Sequence, residues 1–261
     1  MPDLSRRHLL LTATAALAAP ALVGRAEAQS FVEAAFPGRG SIDSGMQATV
    51  TRISTRQPLV ALTFDDGPHH SLTPQLLDLL AGYNIRATFY VIGSRVAQHP
   101  QLAARIASEG HEIGNHTWSH PSLFGHSDAS ILNQVDRTNE AVMNAVGRIP
   151  VTMRPPYGNL YPQQRLMLHA ARGMPTVLWS VDPEDWRRPG SSVVAQRIVN
   201  RSHPGDVVLA HDIHGATVRA MPATIEGLAS RGFRFVTVSE LIGWPRWDSR
   251  RMRIAARSQQ G

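Results

Sequence analysis

A short apolar run, Leu59-Val60-Ala61-Leu62-Thr63-Phe64, stops at Asp65-Asp66-Gly67-Pro68. Unbroken apolarity over so few residues, ended by turn formers, predicts a strand buried on both faces. The period then changes. Leu76, Leu77, Leu79 and Leu80 recur at helical spacing between Thr73-Pro74 and Gly82, so a helix is expected there, opened by proline and closed at glycine. Residues 87–92 read as a second strand, 100–108 as a helix ended by Gly110, and 111–114 as a short third strand.

The alternation continues to the end of the chain. Further strands are expected at 151–154, 176–180, 206–210 and 235–238, and further helices at 128–146, 162–171, 193–200 and 217–230. Strand and helix units of this length imply a parallel sheet, since parallel neighbours need a crossover between them. About seven such units suggest a closed or nearly closed β/α barrel, and 261 residues suit a single domain of that size. With 43% hydrophobic residues the chain has material for a large core. Residues 29–57, with Pro37, Gly38, Gly40 and Gly45 and weak periodicity, read as a lead-in segment over the surface ahead of a domain at 58–243.

The first 28 residues are set apart from the fold. Arg6 and Arg7 stand directly before an apolar run from Leu9 to Val23, and Ala26-Glu27-Ala28 offers a small-x-small cleavage pattern. The run is short of the roughly 20 residues that span a bilayer. This is the pattern of a cleaved export signal of twin-arginine character, which predicts a periplasmic or extracytoplasmic mature protein without a stable membrane span. The net charge is +6. A basic balance alone fits nucleic acid, anionic lipid or an acidic polymer, but the arginines are mostly scattered and no nucleic-acid partner is expected. Arg246, Arg250, Arg251, Arg253 and Arg257 do gather in a basic tail at 244–261, read as a solvated end. There is no cysteine, which excludes disulfides, thiolate metal sites and cysteine nucleophiles.

Polar clusters follow one strand after another. Asp65 and Asp66 end the first, His116 and His120 follow the third, and Arg154 and Tyr157 the fourth. Asp182 and Asp185 follow the fifth, and His211 the sixth. In a barrel of parallel strands these carboxyl-end loops converge on one face, where active sites form. His116 and His120, four apart, would share one face of a helical turn and could reach one ion; surface histidines show the same spacing. Asp66 adds a carboxylate, giving a donor set that leaves positions open on a metal. Asp65 and Asp66 are adjacent, so in extended backbone their side chains should point apart and serve different ends. His69, His70, His126 and His214 read as loop residues outside the chemistry.

Five ordered motifs carry a resemblance. They are Thr63-Phe64-Asp65-Asp66-Gly67, His116-Thr117-Trp118-Ser119-His120, Arg154-Pro155-Pro156-Tyr157-Gly158, Asp182-Pro183-Glu184-Asp185-Trp186 and Leu209-Ala210-His211. In this order the chain resembles the polysaccharide deacetylases of the NodB-homology family, carbohydrate esterase family 4, over about residues 59–241. The resemblance implies a distorted (β/α)7 barrel and a divalent metal, usually zinc, held by Asp66, His116 and His120. Cobalt, nickel and iron suit the same donors. It implies Asp65 as general base, His211 as general acid, Arg154 orienting Asp65, and Asp185 tuning His211. Trp186 and Leu209 would line the acetyl pocket, and the Tyr157 backbone N–H would face the oxyanion.

The implied activity is hydrolysis of N-acetyl groups from N-acetylglucosamine-type residues of peptidoglycan, an exopolysaccharide or a chitooligosaccharide. Two other readings compete: a related metal amidohydrolase or esterase on a non-glycan substrate, and a glycan-binding protein without catalysis. Asp65 and His211 weigh against the last, because a binding module needs neither base nor acid.

Overall fold

A computed structural model describes residues 48–244. The segment read as an export signal, the start of the lead-in and the tail beyond Trp244 lie outside the described residues. Among the described residues, seven strands are interspersed with helices. They are β1 (Thr49–Val50), β2 (Leu59–Asp65), β3 (Thr88–Val91), β4 (Glu112–Asn115), β5 (Thr176–Val177), β6 (Asp206–His211) and β7 (Arg234–Phe235). The longer helices are α1 (Leu72–Gly82), α3 (Pro100–Ser108), α4 (Asp128–Val146), α5 (Pro162–Arg172), α6 (Ser191–Arg201) and α7 (Gly215–Ser230), and two short ones are α2 (Gly93–Gln98) and α8 (Val238–Leu241).

β2 is the centre of the sheet because it is apolar on both faces. Val60, Ala61, Leu62 and Phe64 are all buried, and burying a side chain such as Leu62 or Phe64 contributes about 1.5–3 kcal/mol. β2 pairs in parallel with β6 along one edge and with β3 and β7 along the other. β3 pairs in turn with β4. The ring then continues through single bridges, Asn115 to Met153 and Met153 to Thr176, and Val181 bridges to Val208 of β6. The result is a (β/α) barrel distorted on the side where pairing shrinks to one residue.

That distortion corrects two expectations. The strand expected at 151–154 is reduced to the bridge at Met153, although Asn115 N donates to Thr152 O and Arg154 N to Asn115 O, so the segment still runs beside β4. The strand expected at 176–180 ends at Val177. Further differences lie at the ends. The lead-in segment does not stay on the surface: Thr49 and Val50 are buried and pair with Thr176 and Val177. The strand expected at 235–238 ends at Phe235, because Thr237 forms a capping box with Glu240 and starts α8. Trp244, read with the tail, is buried in the main core.

Two apolar clusters hold the barrel. The larger joins β2, β3 and β6 to the surrounding helices. The smaller gathers Leu123, Ile131, Val135, Met153, Leu160, Leu168 and Met174, under the loops that follow β4 and Met153. No helix among the described residues is long and apolar enough to cross a membrane.

Candidate active site

The carboxyl ends of the strands surround a cleft of about 420 Å³. It is lined by Asp65, Asp66, His116, His120, Tyr157, Trp186, Leu209 and His211, eight of the ten residues to which the resemblance gives roles. The other two, Arg154 and Asp185, lie buried behind it. Trp179, Asp182 and His214 also line it. His214 thus stands at the site and not merely in a loop, with its ring 5.8 Å from that of His211. Its position just ahead of α7, itself directly after β6, was the signal available in the sequence.

Strand register explains half of this arrangement. Asp65 is the Cα partner of His211, and Thr63 of Leu209. Residues two apart on a strand share a face, so Thr63 and Asp65 lie beside Leu209 and His211 on one side. The remainder depends on unusual backbone. Asp66, Thr117, His120 and Tyr157 all have φ between 59° and 73°, a region that residues with a Cβ seldom enter and that clusters at functional sites.

The turn at Asp66 corrects one expectation. The two aspartates do not point apart. Asp65 Oδ2 and Asp66 Oδ1 lie 3.7 and 3.5 Å from the same atom, His116 Nε2. The histidine pair corrects another, since residues 116–120 form no helical turn. A loop brings the two rings to 4.9 Å. Asn115 Oδ1 accepts from Thr117 N at 2.8 Å, and Gln134 Oε1 accepts from Trp118 N and Ser119 N at 2.9 and 3.0 Å. Asn115 and Gln134 are supporting residues that no motif indicated.

The donors fit a divalent cation. Asp66 Oδ1 is buried and makes no hydrogen bond, yet His120 Nε2 lies 3.1 Å away. His116 Nδ1 lies 2.7 Å from the Arg154 carbonyl oxygen, which can only accept, so Nδ1 carries the proton and Nε2 turns a lone pair inward. One atom from each of Asp66, His116 and His120 falls within 4.8 Å of the others. Converging lone pairs around an unpartnered carboxylate oxygen call for a positive charge.

Arg154 is wholly buried, so its charge needs partners at every nitrogen. Nη1 donates to Asp65 Oδ1 and Thr63 Oγ1, both at 2.7 Å. Nε donates to Val177 O and Nη2 to Leu178 O. This fixes Asp65 with Oδ1 occupied and Oδ2 towards the histidines. On the neighbouring strand, His211 Nδ1 lies 2.8 Å from Asp185 Oδ1. Asp185 Oδ2 accepts from His211 N and Thr217 Oγ1. Burial works against charge on His211, but the Asp185 hydrogen bond and charge, aided by Asp65 and Asp66, overcome it and lift the imidazolium to about 9. Asp185 is held low in return.

Comparison with known proteins fits this geometry. The family model described as polysaccharide deacetylase matches residues 52–177. A chitooligosaccharide deacetylase of Sinorhizobium fredii is 38% identical over 199 residues, covering 71% of this chain and 92% of that protein. The chain belongs to the polysaccharide deacetylase family. A peptidoglycan-N-acetylglucosamine deacetylase of Listeria monocytogenes is 43% identical over 184 residues, 70% of this chain. This chain spans only 39% of that relative's length. Among solved structures, the Bc1960 peptidoglycan N-acetylglucosamine deacetylase superposes with a TM-score of 0.73 at 35% identity, covering 76% of this chain and 94% of that one.

Gly67 lies where no side chain fits. A Cβ there would press on the Asp212 carboxylate, with its Cγ at 2.8 Å. Asp212 cannot withdraw easily: it is buried and accepts from Thr73 Oγ1. Gly67→Ala should therefore displace the Asp65-Asp66 turn and lower divalent-ion affinity. Calorimetric titration with zinc checks this; unchanged affinity would show that the turn tolerates the methyl group.

Proposed function

We propose that this protein is a metal-dependent N-deacetylase acting on N-acetylglucosamine-type residues of a glycan, with release of acetate. One observation carries the reading. A base and an acid stand on paired strands beside one donor cluster, each with its second atom tied back by a buried ion. Asp65 Oδ1 is taken by Arg154, leaving Oδ2 to receive a proton. His211 Nδ1 is taken by Asp185, leaving Nε2 to give one. Simple glycan binding needs neither feature. The names of the relatives, peptidoglycan and chitooligosaccharide deacetylases, support the substrate class.

Asp66, His116 and His120 would hold the ion, with zinc the first candidate and cobalt, nickel and iron also matched to the donors. When bound, it supplies Lewis-acid polarisation of the amide carbonyl and acidifies water. Asp65 Oδ2 takes the proton of the attacking water. The backbone N–H of Tyr157 faces the oxygen that gains charge. His211 Nε2 then protonates the departing sugar amine, which would otherwise leave as a poor anion. Leu209 and Trp186 enclose the acetyl methyl group.

The working unit reaches beyond the expected 58–243, because β1 pairs with β5 and Trp244 is buried in the main core. The Arg6-Arg7 pair and the short apolar run after it support export, and export supports a cell-envelope glycan as substrate. Acetate release from chitooligosaccharides, peptidoglycan and acetylated exopolysaccharide tests the proposal. Release from at least one is expected; release from none, with the ion bound, would overturn it.

The acid side has its own test. Asp185→Asn removes the partner that keeps His211 protonated, while burial, which opposes the charge, remains. The acid form should then be lost at lower pH. The alkaline limb of kcat/KM should move down by about one to three pH units, as read from a pH profile of acetate release. An unmoved limb would mean that another group sets it.

A further inference from the structure

We propose that Phe124 and Tyr161 form a stacking platform for a sugar neighbouring the one deacetylated, so that the substrate is a glycan chain and not a single sugar. The proposal rests on the deacetylase reading. Phe124 is 58% exposed and Tyr161 39%. Their ring centroids lie 4.2 Å apart. Large apolar rings are usually buried, so an exposed pair in contact marks a surface kept for a partner.

Their placement points to the partner. Two loops reach out of the site, one from His120 and one from Tyr157. They touch first at these residues, whose rings are 4.8 Å apart, and again four residues later on each loop, at Phe124 and Tyr161. Between these contacts Asn159 Nδ2 donates to Ser122 Oγ at 3.3 Å. Leu123 and Leu160 are buried in the smaller apolar cluster, so each loop is anchored by a leucine and shows the next side chain to solvent. Four residues span at most about 14 Å of backbone. The platform is therefore continuous with the cleft and within a few sugars of it.

The chemistry suits a pyranose. A sugar ring presents C–H groups on its faces and hydroxyls at its rim. The aromatic pair takes the C–H face, and the Ser122 hydroxyl and Asn159 amide offer neutral hydrogen-bonding partners beside it.

The double variant Phe124→Ala, Tyr161→Ala tests this, with circular dichroism and metal content as controls. Acetate release would be measured on the disaccharide and the hexasaccharide of N-acetylglucosamine. For the hexasaccharide, kcat/KM should fall about tenfold, through KM, while the disaccharide stays within about twofold. Equal losses on both lengths, or no loss on either, would overturn the platform. So would a change from dimer to monomer by light scattering with the length preference intact, which would assign the rings to a contact between copies. If wild type releases acetate from neither length, free N-acetylglucosamine oligomers are not its substrate, and the deacetylase reading fails if peptidoglycan and exopolysaccharide release none either. Calorimetric binding of the glucosamine hexasaccharide to wild type and variant then still decides: weaker binding by the variant supports the platform, and equal binding overturns it.

Discussion

Asp65→Asn should keep its divalent ion and release acetate about 10²- to 10⁴-fold more slowly than wild type, the range expected for loss of one acid-base group. Asp66→Asn should lose the ion. The two residues are neighbours with the same chemistry, and both lie near His116 Nε2, at 3.7 and 3.5 Å. That small difference does not separate them; their other contacts do. Asp65 is tied to Arg154 at 2.7 Å, whereas Asp66 Oδ1 has no hydrogen bond and stands 3.1 Å from His120 Nε2. Both variants are nearly isosteric with wild type, so circular dichroism should be unchanged. Metal content and acetate release on the purified proteins would settle the assignment. Loss of metal from Asp65→Asn with retention by Asp66→Asn would reverse it.

Arg154→Ala should damage both stability and activity. The substitution removes four hydrogen bonds and a guanidinium stacked 4.2 Å from the centre of the Tyr90 ring. It also leaves the buried Asp65 carboxylate without its counter-charge. Breaking one side of a buried ion pair costs about 3–5 kcal/mol, which for a domain of this size lowers Tm by roughly 6–20 °C. Acetate release should fall as well, because Oδ2 of Asp65 would no longer be held towards the histidines. Calorimetric melting and a rate measured well below the new Tm separate the two effects. An unchanged Tm would show that Asp65 finds other partners.

The barrel order was legible because β2, β3 and β6 are apolar runs ended by turn residues, and because α1, α3 and α4 carry clear helical spacing. Single-bridge pairing was not legible. Residues 151–154 have strand composition, yet only Met153 is placed to bridge both neighbours. β1 was missed because two residues carry no period. At the site, motif order singled out residues that the fold brings to one cleft, but spacing rules gave the wrong local geometry. The left-handed backbone at Asp66, Thr117 and His120 turns side chains in directions that neither strand nor helix periodicity describes. Phe124 and Tyr161 lie outside every motif, and only their exposure and mutual contact make them visible.

The central claim is that acetate release depends on an ion at Asp66, His116 and His120. The most direct measurement is acetate release from N-acetylglucosamine oligomers by chelated protein, with metal content determined on the same sample, before and after zinc is restored. Release should vanish with the ion and return in proportion to zinc bound. Full release by protein shown to be free of metal would contradict the account.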